Sequence, residues 1–242
     1  MRLARFAAFV LAAMTLFSLT AHAAPITYGA FGPNVNGVIF LAVTEDSPTD
    51  PPPLYGPPEL NPIGLDFDPI SYISSTSNGG SDTTNGQLNF TITRSQGIDQ
   101  VSIREGGDYS LIGNPATASV NAILRATITE INTVPVAPIV LAPISNSGSF
   151  SAPPNQFAPW DLGLFLNIKA LLGPNQSATR VDIQVNNVLG STSQAGSAAF
   201  IAKKEFQFAV NTDISQILPE PGSFAVGGIA LLGLIGRRRA HA

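Results

Sequence analysis

The chain has no cysteine, and its only two histidines, His22 and His241, lie near its two ends. Residues 24–218 therefore hold neither residue type. This excludes Ser-His-Asp and Cys-His nucleophilic machinery, histidine acid–base catalysis, and zinc or haem ligation by either side chain. Disulfides are excluded as well, so the fold must stand on its own apolar core. A body of about 195 residues is long enough to bury one. Carboxylate, Ser–Lys and hard-cation chemistry are what remain. Charge is also scarce, at 12% of residues, and basic charge most of all. Five of the twelve Lys and Arg residues (Arg2, Arg5, Arg237, Arg238, Arg239) sit at the ends. The body keeps seven against fifteen acids, a net charge of about −8. Such a balance repels phosphate backbones and argues against a nucleic-acid partner.

The two ends carry addresses. Arg2 and Arg5 precede an apolar run from Phe6 to Leu19, and Ala21-His22-Ala23 supplies an A-x-A site. This is the pattern of a secretory signal peptide, residues 1–23, with cleavage after Ala23. At the other end, Pro219-Glu220-Pro221 leads into an apolar stretch from Gly222 to Gly236, followed by Arg237-Arg238-Arg239. Its 15 residues would rise roughly 22 Å as a helix, against roughly 30 Å of hydrocarbon. Five glycines weaken it further, and the arginines hold the C-terminus on the cytoplasmic side. These features suit a transient anchor.

In those three ordered parts, residues 219–242 resemble the PEP-CTERM sorting signal of bacterial secreted proteins. The resemblance implies cutting near Pro219-Glu220-Pro221 by a membrane transpeptidase, the exosortase. It also implies the general secretion machinery and signal peptidase as earlier partners, and a passage from the inner membrane to the envelope or the exterior. Phe67-Asp68-Pro69, Ser77 to Asp82, Glu105 to Leu111, Asn186 to Leu189 and Ile201 to Phe206 resemble a recurring ectodomain of such proteins. That resemblance carries no activity with it.

The body reads as strands separated by loops. Gly37 to Val43 is one apolar run of strand length, central or buried on both faces. Ser47 to Pro62 carries seven prolines and reads as a surface loop, with a proline-rich partner motif as the alternative. Leu88, Phe90 and Ile92 alternate with polar residues, and Ala118 to Ile128 alternates over one long strand. Val181, Ile183 and Val185 repeat the pattern. Turns are expected across Ser77 to Gly86, at Glu105-Gly106-Gly107-Asp108 and at Asn186-Asn187. Residues 135–154 read as connections or a linker between subdomains, with one domain favoured. Trp160 to Leu172 fits both strand and helix periods, and the β context favours a strand. Alternation slips at Lys203-Lys204, where a bulge is expected on an edge with both lysines solvated. The fold class is all-β: a β-sandwich or jelly-roll-like ectodomain, residues 24–218, between the signal peptide and a short transmembrane sorting helix.

Four constellations are candidates for a site. Asp66, Asp68 and Asp82 border an Asn/Gly/Ser loop, and Glu105 and Asp108 flank a Gly-Gly pair. Such oxygens can ligate calcium, although no D-x-D-x-D-G loop is present and turn chemistry explains them as well. Two of Glu105, Asp108, Glu130 and Asp161 could serve glycoside hydrolysis if held at the required separation. A Ser–Lys dyad would draw on Lys169, Lys203 or Lys204. Trp160, Tyr72 and Tyr109, with Tyr28 and Tyr55, could offer flat faces to a sugar, or pack in the core. The expected function is that of an exported, exosortase-sorted, non-catalytic envelope or matrix protein associated with biofilm or surface polysaccharide. A carbohydrate-binding module is the alternative, and a carboxylate glycosidase the third.

Overall fold

A computed structural model of the chain describes residues 24–151 and 156–215. The signal peptide with its Ala21–Ala23 site, Pro219-Glu220-Pro221, the sorting helix and Arg237, Arg238 and Arg239 lie outside the described residues. The strands are β1 (Ile26–Phe31), β2 (Ile39–Asp46), β3 (Glu59–Leu60), β4 (Gly64–Phe67), β5 (Ile73–Ser77), β6 (Gly80–Ile98) and β7 (Gln100–Ile112). They continue with β8 (Ala116–Ile131), β9 (Val134–Val140), β10 (Ile144–Ser151), β11 (Gln156–Asn167), β12 (Ala178–Ser193) and β13 (Ala198–Val210). One 3₁₀ turn, Lys169–Leu171, follows β11.

The described residues are all-β, and their strands form two antiparallel sheets packed as a sandwich. One runs β1-β2-β6-β12-β8-β10, with β9 also on β8; the other runs β11-β7-β13-β4-β3, with β5 also on β13. One apolar cluster fills the space between them. It takes the residues that alternation placed inward: Leu88, Phe90 and Ile92 from β6, Val120, Leu124 and Ile128 from β8, and Val181, Ile183 and Val185 from β12. Phe40, Phe90 and Phe208 meet edge to face across the interior.

Several expectations need correction. Gly106-Gly107 and Asn186-Asn187 are not turns but lie inside β7 and β12. Of the turn-rich stretch 77–86, only Asn78-Gly79 reverses the chain, and β6 begins at Gly80. Cross-strand pairing on both sides of β7 and of β12 holds these residues extended, which outweighs their local turn preference. Residues 135–151 are not a linker, because β9 and β10 both pair with β8. The segment from Trp160 is a strand as far as Asn167.

The bulge at Lys203-Lys204 is present, with register shifting between Lys203 and Glu205 opposite Gly107-Gly106. The strand is not an edge, however, since β13 lies between β7 and β4. Its extra residue switches the inward face from Ile201 and Lys203 to Phe206, Phe208 and Val210. A second bulge in β2, at Leu41–Thr44 with Ala42 at φ 52, switches the inward face from Phe40 to Val43 and Glu45. Each bulge turns one charged side chain into the core.

Candidate functional site

Glu105, Lys203 and Asn187 meet in that core. Glu105 follows Val101 and Ile103 in the inward phase of β7, Asn187 follows Ile183 and Val185 in that of β12, and the bulge brings in Lys203 from β13. The side chains of Glu105 and Lys203 are wholly inaccessible and form an ion pair through Oε2 and Nζ. Asn187 donates its Nδ2 to the other carboxyl oxygen, Oε1, at 3.1 Å. The Tyr55 hydroxyl donates to Asn187 Oδ1 at 2.5 Å, and the Tyr72 hydroxyl to the Asn187 backbone carbonyl at 2.6 Å. Tyr72 in turn accepts the Gly86 N–H at 2.6 Å. Gly86 is required here, since a Cβ would stand 2.7 Å from the Tyr72 ring and 3.0 Å from the Tyr55 ring.

The walls are aromatic. Lys203 Nζ lies 4.8 Å from the Tyr72 ring centre and 5.3 Å from those of Tyr55 and Phe206. Phe67 packs edge to face on Tyr55 and Phe206 behind them. Burial disfavours charge on every group here. It lowers the Lys203 pKa to about 8 against the pull of Glu105. It raises that of Glu105 against Lys203 and the Asn187 amide, and holds Tyr55 and Tyr72 well above the ordinary phenol value. An amine, a carboxyl and a carboxamide thus share a dry, aromatic cell.

Tyr55 reaches the cell from the proline-rich loop, which is more than a surface connection. Leu54, Tyr55 and Gly56 are buried, and Glu45 Oε1 accepts the N–H groups of both Leu54 and Tyr55. Glu45 Oε2 accepts the Tyr28 hydroxyl at 2.6 Å.

The other sequence candidates separate. Tyr72, Tyr109 and Trp160 are 0%, 6% and 6% exposed, so none offers a sugar platform. Tyr109 stacks on Phe150 at 4.3 Å, and the Trp160 indole donates to the Ala202 carbonyl at 3.1 Å. Asp66 lies in β4 with Asp68 just beyond it, and burial, opposed by a Gln207 hydrogen bond, raises the Asp66 pKa. Asp82 belongs to the other sheet, where it accepts the Ser75 N–H at 2.8 Å. Among the described residues no three acids converge as a metal site. Asp108 pairs with Lys204, Asp161 with Arg104, and Glu130 accepts the Thr179 hydroxyl. Lys169 donates to the Gln176 carbonyl. Lys203 is not solvated, contrary to expectation, because the bulge aims it inward.

The outer face of the seven-stranded sheet holds a groove of about 510 Å³. Asn89, Thr91, Arg125, Thr127, Asp182 and Gln184 form its polar floor, and Val140, Leu141 and Pro143 one wall. Asp182 is the one carboxylate among its lining residues.

No protein-family model and no curated protein matches the chain. Among solved structures, one similar chain is a carbohydrate-binding module in complex with β-1,4-galactotriose: 10% identity, TM-score 0.23, covering 65% of this chain and 90% of that one. Another is the enzymatically active domain of tailspike protein 4 of bacteriophage CBA120: 15% identity, TM-score 0.20, covering 77% of this chain and 19% of that one. Likenesses this weak assign neither ligand nor activity.

Proposed function

We propose that the chain is an exported, non-catalytic component of the cell envelope or extracellular matrix, processed at both ends and sorted through its PEP-CTERM-like terminus. The non-catalytic part rests on the dispersal of the carboxylates. Glu105 is sealed in the core, Asp108 and Asp161 are tied to separate cations, and the outer groove is lined by one acid where glycoside hydrolysis needs two. The destination rests on the order Pro219-Glu220-Pro221, apolar stretch, Arg237 to Arg239. Replacing Glu220 or deleting residues 237–239 is expected to leave unprocessed or mislocalised protein. Intact mass of the protein from envelope and medium reads this directly. An unchanged C-terminal mass and location in both variants would remove the sorting reading.

The polar groove supports a second reading, binding of a surface polysaccharide. Hydroxyl, amide, guanidinium and carboxyl groups line it, and they match the hydrogen-bonding inventory of a sugar. Stacking is the weaker element. The exposed rings Phe157 and Phe165 lie on β11 of the other sheet, eight residues or roughly 26 Å apart. Arg125→Ala and Asp182→Ala are each expected to weaken binding of the cognate polysaccharide about tenfold, or about 1.4 kcal/mol. Affinity electrophoresis on envelope polysaccharides tests this, and equal mobility shifts for wild type and both variants would end the groove reading.

A further inference from the structure

We propose that Lys203 and Asn187 are joined by an intramolecular isopeptide bond, formed in the folded protein with Glu105 as proton carrier and with release of ammonia. Both reactants sit on one carboxyl: Lys203 Nζ on Oε2, Asn187 Nδ2 on Oε1 at 3.1 Å. The Asn187 carbonyl oxygen, where negative charge develops as the amine attacks, receives the Tyr55 hydroxyl at 2.5 Å. The amide backbone is held from behind by Tyr72 and by strand pairing with Gly86 and Ala122. The groups therefore meet as fixed neighbours, and the reaction is unimolecular.

The step balances without a metal, cofactor or oxidant. The neutral Lys203 Nζ adds to Asn187 Cγ. The Tyr55 hydroxyl stabilises the oxygen of the tetrahedral intermediate. Glu105 gives its carboxyl proton to Nδ2 as it takes one from Nζ, the Cγ–Nδ2 bond breaks, and ammonia leaves. One primary amide and one amine become one secondary amide, with Glu105 regenerated. Proton transfer from Lys203 to Glu105 within the ion pair gives the starting state, a neutral amine beside a protonated carboxyl. Burial favours it, since the lysine pKa falls to about 8 and that of Glu105 rises. The aromatic cell excludes the water that would compete with the amine.

A buried Lys–Glu pair alone gives little stability for its desolvation cost, and a carboxamide donating to the same carboxyl is not needed to neutralise the lysine. The bond supplies a reason for all three groups. Asn187 is on β12 of the seven-stranded sheet and Lys203 on β13 of the six-stranded sheet, so their link ties the two faces of the sandwich covalently. It serves as the brace that a chain without cysteine cannot obtain from a disulfide.

The test is peptide mass on the full chain, recovered folded and then digested under denaturing conditions. Trypsin should release residues 181–204 as a single peptide, uncut after Lys203 and lighter than its sequence by one ammonia. Chymotryptic cleavage at Phe200 should leave its two parts joined. Lys203→Met, Asn187→Ala and Glu105→Gln should each give unlinked peptide of full sequence mass. A folded wild-type chain that is cut freely after Lys203 overturns the proposal, even where a variant fails to fold. So does an ammonia loss whose parts separate at Phe200, which marks a succinimide at Asn187. A Glu105→Gln chain that links at the wild-type rate overturns the role of Glu105.

Discussion

Gly107→Ala is expected to destabilise the fold by more than about 3 kcal/mol, enough to unfold much of the chain. The added Cβ would stand 1.9 Å from the backbone oxygen of Ala202 and 3.0 Å from Trp160 Nε1. That carbonyl already accepts the Trp160 indole at 3.1 Å, and its residue sits beside the bulge on the paired strand. No rotamer change relieves a contact with backbone, so β7 and β13 would have to part where Lys203 enters the core. Gly106→Ala is the control. Its Cβ would meet the Trp160 carbonyl oxygen at 3.3 Å, a crowding that small shifts absorb at about 1 kcal/mol. Urea denaturation followed by circular dichroism should separate the two variants widely. Equal midpoints would mean that the close approach is not what keeps glycine at position 107.

The same Gly-Gly pair shows where sequence reading succeeded and where it stopped. Wherever strand alternation was carried by apolar residues, as in Leu88–Ile92, Ala118–Ile128 and Val181–Val185, the inward face was legible and is the one observed. Where a polar or glycyl residue held an inward position, local composition pointed to a turn. Yet the phase runs unbroken through Val101, Ile103, Glu105, Gly107, Tyr109 and Leu111, and again through Val185, Asn187 and Leu189. Carrying the period through the glycines and asparagines would have flagged Glu105 and Asn187 as buried. Lys203 was harder, since its direction depends on a bulge, and its partner lies 98 residues away in the chain. Tyr55 gave no period at all, because a loop and not a strand delivers it. The calcium, Ser–Lys and aromatic-platform candidates were chosen by residue type, which says nothing of the direction a side chain takes.

Glu45→Ala is the second large effect expected, about 3 kcal/mol or more. The Glu45 carboxyl is fully buried and meets the Leu54 and Tyr55 N–H groups and the Tyr28 hydroxyl. Alanine would leave two buried N–H groups without an acceptor, at about 1–3 kcal/mol each. It would also open a cavity under the proline-rich loop. Glu45→Gln keeps Oε1 for the two amides and can donate its new N–H to Tyr28, so it should cost about 1 kcal/mol. The difference reaches the core site because Glu45 fixes the backbone of Tyr55, whose hydroxyl rests on Asn187. Glu45→Ala should therefore lose amide-exchange protection at Leu54 and Tyr55, and should slow the Lys203–Asn187 linkage along with the loss of stability. Glu45→Gln should preserve both. If Glu45→Ala unfolded at the wild-type denaturant concentration with those amides still protected, the loop would be held by its apolar packing alone, and the inward turn of β2 at Ala42 would need another reason.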